Sequence, residues 1–201
     1  MRELLDQLRE DWALHGRAWT HPGFQAVAVY RLGRWMRCQA QPLRFLTRLA
    51  YAPLYVFVRN VYGIELPAKA TIGRRFKISH QSGIVLGERV VIGDDCRIRQ
   101  NVTVGGLGSL GRRGKSHGHP VLGDRVYVAA GAVIIGNVAV GDDAHVGPNA
   151  LVVSDIPAGA TAFARPASVL RPAGSGGMTE KTDPAEAERA ADPAPTPHDP
   201  T

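Results

Sequence analysis

The sequence predicts a parallel β-helix preceded by a helical segment, and three observations carry that prediction. An aliphatic residue recurs at every sixth position, at Leu122, Val128, Ile134, Val140, Val146 and Val152. Four residues after each stands another small or aliphatic one: Val126, Ala132, Val138, Ala144, Ala150 and Ile156. Two further series keep the same beat, Leu86, Ile92, Ile98, Val104 and, before them, Ile72, Ile78, Ile84. A helix repeats every 3.6 residues and a strand every 2, so a period of six belongs to neither. It marks coils built from three short strands. Three six-residue sides close a triangle and stack each aliphatic on its equivalent about eighteen residues away.

Residues 1–62 read as helices. Leu4, Leu5, Leu8 and Trp12 share one face of a first helix. Val27, Tyr30, Arg31, Arg34 and Trp35 belong to a second, with Pro22-Gly23 expected just before it. A third stretch, Leu43 to Tyr62, is apolar but interrupted by Arg44, Arg48, Pro53 and Arg59. Its longest uncharged run is far shorter than the about 20 residues that span a bilayer. Packing against the β-helix or another subunit is expected, with peripheral membrane contact as the alternative.

Residues 63–172 read as the β-helix. Its corners fall at Gly93-Asp94, Gly123-Asp124 and Gly141-Asp142, because Gly and Asp accept tight turns. Cys96 occupies an inward position and is expected to be a buried structural thiol. One insertion breaks the hexads, from Gly105 to Pro120. It is rich in Gly, carries Arg112, Arg113 and Lys115, and ends in His117-Gly118-His119-Pro120, which favours a functional loop over a tolerated one. Residues 173–201 hold six acids against two bases and almost no large apolar side chains, so they read as a disordered tail without chemistry.

Charge narrows the partners. The chain carries +6 overall, and the acidic tail leaves the remainder more basic still. A basic body suits a phosphorylated cofactor or an anionic surface. Nucleic acid fits poorly, because the aromatic residues are few and not interleaved with the bases. Two cysteines in unlike contexts suggest no disulfide framework, and Met1 to Glu10 lacks the apolar run of a signal peptide, so a reducing cytoplasm is expected.

The residues that carry chemistry lie in three stretches. They are Gly63-Ile64-Glu65 with Ala70 to Phe76; Ser79-His80 with Ser82 to Glu88; and Gln100 to Gly106, followed by His119-Pro120 and Ala130 to Asn137. Over roughly residues 20–170 this pattern resembles the serine O-acetyltransferases. The helical segment and the Ala70–Phe76 block resemble still more closely the exopolysaccharide acetyltransferases of the colanic-acid type. The resemblance implies a trimeric left-handed β-helix that uses acetyl-CoA and no metal. It implies His80 as general base, Glu65 (usually Asp in the family) as the carboxylate that orients it, and His119 beside the acceptor and the reacting carbonyl.

An imidazole with its ordinary pKa near about 6.5 suits the removal of a hydroxyl proton at neutral pH. Coenzyme A is expected along the groove between two subunits. Gly105, Gly106, Ala130 and Gly131 would admit its pantetheine arm, and Arg165 would lie near its phosphates. Where the family places an acid and an arginine before its two histidines, this chain has Ser79 and Gly118. Those departures remove handles for a zwitterion and point to a neutral sugar hydroxyl from an exopolysaccharide pathway, held by Ser79, Gln81 and Asn101. L-Serine is the alternative acceptor, and a non-catalytic trimeric scaffold the alternative of another class.

Overall fold

The computed structural model describes residues 1–106 and 118–166. Within them stand three helices and, in chain order, the short strands β1 to β14. The expected tail lies outside the described residues, as do Arg112, Arg113, Lys115 and His117.

The strands stack into three parallel sheets, each one side of a left-handed prism. Sheet A holds β1 (Ile64–Glu65), β4 (Ile84–Leu86), β7 (Thr103–Gly105), β10 (Val133–Ile135) and β13 (Leu151–Val152). Sheet B holds β2 (Thr71–Ile72), β5 (Val91–Ile92), β8 (Val121–Leu122) and β11 (Ala139–Val140). Sheet C holds β3 (Lys77–Ile78), β6 (Arg97–Ile98), β9 (Tyr127–Val128), β12 (His145–Val146) and β14 (Thr161–Ala162). The hexad aliphatics point inward without a gap, from Ile64 and Ile72 up to Val146 and Val152, and form one continuous core. Cys96 joins that core, its thiol pushed up to about 11 by burial, so it is inert at neutral pH.

Two departures from an even coil matter later. Ile78 pairs with Ile98, twenty residues on, but Val85 pairs with Thr103, only eighteen on. The corner between β3 and β4 therefore holds two extra residues. In consequence Leu86, not Ile84, stacks on Val104, and Ile84 pairs with Ile64. The second departure is the insertion between β7 and β8, which stretches the Val91–Val121 pairing to thirty residues.

Helices α1 (Arg2–Leu14), α2 (Pro22–Arg37) and α3 (Leu43–Tyr62) close one end of the prism. A solenoid's first coil leaves backbone groups without a neighbour. Here side chains supply the missing partners. The Tyr30 hydroxyl accepts from the Ile72 amide at 2.9 Å and donates to the Ala70 carbonyl at 3.0 Å. Arg31 donates to the carbonyls of Ile72 (2.8 Å) and Gly73 (2.6 Å), and its Nε is held by Asp11 at 2.9 Å. His15 Nε2 accepts from the Ile78 amide at 3.2 Å, while its Nδ1 lies 2.6 Å from the Asp11 carbonyl.

One expectation for the helices shifts. Pro22 lies within α2 rather than before it, because the first helical position has no intrahelical use for an N–H. His21 caps the helix, accepting from the Gly23 amide at 3.1 Å. Pro53 does not interrupt α3, whose outward side is apolar (Phe45, Leu46, Leu49, Val56, Phe57, Val61) and bordered by Arg44, Arg48 and Arg59. Among the described residues no helix is long and apolar enough to cross a membrane.

Candidate functional site

The expected site residues fall on the two long edges that flank sheet A. The edge between sheets C and A is built from the corners that follow β3, β6, β9 and β12. It carries Ser79, His80 and Gln81 at its base, then Gln100 and Asn101, then Ala130 and Gly131. Backbone bonds climb it: Asn101 N–H to the Ser82 carbonyl (2.9 Å), Gly131 N–H to that of Gln100 (3.1 Å), and Asn149 N–H to that of Ala130 (2.9 Å). His80 stands in the corner with the two extra residues, exposed to solvent. Its Nε2 lies 3.2 Å from Arg99 Nη2, and since a guanidinium can only donate, Nε2 is the acceptor in this contact.

The edge between sheets A and B carries Gly105, Gly106 and, after the insertion, His119. The His119 ring lies against Gly106 so closely that a Cβ there would sit 2.9 Å from its Nδ1 and Cε1. That Nδ1 is buried and has no hydrogen-bond partner among the described residues. Gly118 is equally constrained, because a Cβ on it would meet Asn137 Oδ1 at 1.9 Å. A larger residue at 118, such as the arginine of the resembling family, does not fit this packing. Beside Gly105, by contrast, a Cβ would have no atom nearer than 4.0 Å, so its outward side is open.

His80 and His119 thus share a sheet but occupy opposite edges of it. Both insertions into the regular hexad stand at those same edges, and a two-residue shortening follows β13, where the offset falls to sixteen. Glu65, on the outer side of β1, stands near the Tyr55 phenol of α3. Burial and the nearby Glu65 carboxylate together push that phenol up. No Glu65–His80 hydrogen bond is formed among the described residues. Arg165 lies exposed beyond β14.

The outward face of sheet C is polar, whereas those of sheets A and B are largely apolar, sheet B presenting Val91 and Val121. Sheet C presents Lys77, Arg97, Tyr127 and His145. Sheet A presents Val85, Thr103, Val133 and Leu151, the last 65% exposed, with Val153 just beyond at 63%. Arg99 lies outside the motif stretches of the sequence, and Gln100, within them, has no expected role although its Oε1 is buried without a partner among the described residues. The signal that finds them is the coil offset, which sets Ser79 beside Ile98 and Arg99.

Residues 119–154 match the family model for bacterial transferase hexapeptide (six repeats). Serine acetyltransferase of Synechococcus elongatus is 38% identical over 120 residues, covering 59% of this chain and 44% of that protein. Serine acetyltransferase of Mycobacterium tuberculosis is 39% identical over 118 residues, covering 59% and 47%. Among solved structures, a serine acetyltransferase in complex with CoA superposes with a TM-score of 0.64 at 28% identity, over 84% of this chain and 70% of that one. The chain spans about half the length of these curated relatives.

These relatives overturn the expectation of a sugar acceptor in an exopolysaccharide pathway, and with it the closer likeness to the colanic-acid type. Positions 79 and 118, next to the histidines in sequence, do lack charges, but the next coil sets the cation of Arg99 beside His80. In its coils the chain is a hexapeptide-repeat protein similar to the serine acetyltransferases.

Proposed function

We propose that the chain is an acetyl-CoA-dependent O-acetyltransferase whose acceptor is the hydroxyl of L-serine. The observation that carries the reading is the coincidence of two facts. The coils are similar to serine acetyltransferases, and both insertions into the hexad fall at the two edges bearing the histidines. In the reaction, His80 Nε2 takes the hydroxyl proton as the oxygen attacks the thioester carbonyl. His119 donates to the oxyanion that forms. Collapse expels the CoA thiolate, which takes up the proton, and leaves O-acetylserine.

One protomer holds these two imidazoles on opposite edges of sheet A, so the reading requires more than one copy. A homotrimer with sheet A turned toward the threefold axis brings the edge between sheets C and A of one protomer against the edge between A and B of the next. His80 then faces a neighbour's His119 in three equivalent sites. The outer face of sheet A, whose Leu151 and Val153 are more exposed than Val91 and Val121 of sheet B, supports this orientation, and the charged face of sheet C suits solvent. The open side of Gly105 and the small residues Gly106, Ala130 and Gly131 flank the resulting groove, where the pantetheine arm is placed, with Arg165 toward the phosphates. Glu65 is assigned to orient the base through its carboxylate. Ser79, Gln81 and Asn101 border the acceptor. Peripheral membrane contact is assigned to the outward side of α3, whose arginine border matches anionic headgroups.

Thiol release from acetyl-CoA with millimolar L-serine, with the product identified by mass, tests the activity. His80→Ala is expected to lower turnover about 100-fold or more with acetyl-CoA binding retained by calorimetry. His119→Ala is expected to impair turnover and acceptor affinity together. No thiol release by the wild-type protein overturns the reading, and no acetyl-CoA binding favours a scaffold.

A further inference from the structure

Arg99 is set apart among the arginines of the described residues by its contact with His80, since others, Arg34 and Arg97 among them, also have no carboxylate within 4.0 Å. Arg31, Arg74, Arg75 and Arg125 are each paired with a carboxylate: Asp11, Glu10, Asp95 and Asp143 respectively. Arg99 is half-buried on the edge between sheets C and A, and no carboxylate of the described residues lies within 4.0 Å of it. Its one side-chain hydrogen bond there is to His80 Nε2, at 3.2 Å. A guanidinium has five donors in a planar fork that matches a carboxylate bidentately. Most of that fork is unused, and it is held within bonding distance of the atom assigned as base.

We propose that Arg99 is the specificity-determining residue that takes the carboxylate of an amino-acid acceptor and thereby frees the base. The inference rests on the acetyltransferase reading above. In the free protein Arg99 occupies the Nε2 lone pair that must receive the hydroxyl proton. A carboxylate is a far stronger acceptor for guanidinium than a neutral imidazole, so a carboxylate-bearing acceptor draws the fork away. Serine has its hydroxyl and carboxylate on adjacent carbons, which places the hydroxyl at the vacated lone pair. The acceptor thus supplies both its own anchor and the release of its base. Position 118 cannot supply that anchor here, because Asn137 fills the space beside Gly118.

The test compares L-serine with L-serinamide, which keeps the amine and hydroxyl but lacks the carboxylate, on wild type, Arg99→Met and Arg99→Lys. Arg99→Met is expected to raise KM for L-serine about 10–100-fold, the loss of charge-assisted hydrogen bonds, and to leave KM for serinamide unchanged. Its kcat with serinamide is expected to equal or exceed that of wild type, because Nε2 is no longer occupied. Arg99→Lys, which keeps the charge without the fork, is expected to recover part of the serine affinity. Equal losses on both acceptors, or no change on either, overturn the proposal. If the wild-type protein turns over neither, the acetyltransferase reading fails, and calorimetric titration with the same two ligands still decides on Arg99. Serine binding tighter to wild type than to Arg99→Met, with no such difference for serinamide, upholds it, and any other binding result overturns it.

Discussion

His15 shows how much one side chain contributes where the helices meet the coils. Its ring is buried between α1 and β3, accepting from Ile78 N–H on one side and lying against the Asp11 carbonyl on the other. That pattern uses the neutral imidazole, with the proton on Nδ1. Burial, with the neighbouring His21 and Lys77 adding smaller effects of the same sign, pulls His15 below its ordinary value of about 6.5. A base with a depressed folded pKa binds fewer protons folded than unfolded. Its contribution to stability is therefore complete above about 6.5 and is lost as pH falls toward the folded value. His21 is lowered as well, also chiefly by burial, and acts in the same direction. Melting temperature is expected to fall between pH 7 and pH 5. His15→Gln is expected to melt lower than wild type at pH 7.5 but with a shallower pH slope, and an unchanged slope would remove His15 from the account. The buried Arg31–Asp11 pair belongs to the same junction, with side chains 3% and 0% exposed. Breaking it by truncating one partner would leave a buried charge unpaired.

At the level of one structural element, the corner between sheets B and C shows why its residues recur. Asp94 Oδ1 accepts from Arg74 N–H at 2.7 Å, Asp124 Oδ1 from Asp94 N–H at 2.7 Å, and Asp142 Oδ1 from Asp124 N–H at 2.8 Å. Each carboxylate thus satisfies the amide one coil below it. The next position in each coil is left-handed, at Arg75, Asp95, Arg125 and Asp143, with φ between 53° and 59°. Those four alternate in sign and pair bidentately, Arg75 with Asp95 and Arg125 with Asp143. The glycine that opens each corner is required by the coil above. A Cβ on Gly93 would meet Asp124 Oδ1 at 2.3 Å and the Gly123 carbonyl oxygen at 2.6 Å. Asp124→Ala is expected to cost about 1–2 kcal/mol by leaving one amide unpaired. Gly93→Ala is expected to cost more, about 3 kcal/mol, because backbone cannot move aside as a side chain can. Thermal unfolding of the two variants at pH 7.5 checks the order, and a milder effect for Gly93→Ala would refute it.

For the whole molecule the decisive quantity is the state of assembly. The proposed site needs two edges of sheet A from two protomers, and the outer face of that sheet carries exposed Val85, Leu151 and Val153. Light scattering is expected to give a trimer. Leu151→Asp is expected to shift the protein toward monomer and to reduce turnover by at least about 100-fold, although no imidazole is altered. A monomeric variant with full activity would show that one chain completes the site alone.

The period of six by itself determined the prism, its apolar column and its Gly-Asp corners, because an inward position every sixth residue has few solutions other than a stacked coil. The sequence also singled out His80 and His119 and marked Gly105–Pro120 as a break. What it left open were the outward side chains, since burial imposes no pattern on them and their neighbours come from the next coil. Two extra residues between Ile78 and Val85 shift the offset from eighteen to twenty, and only the pairing of β3 with β6 reveals that Arg99 meets His80. In the same way the hydropathy of α1 and α2 predicted helices, but it gave Tyr30, Arg31 and His15 no special part. Only the tertiary structure sets these three against the open end of the first coil, where unpaired backbone groups require partners.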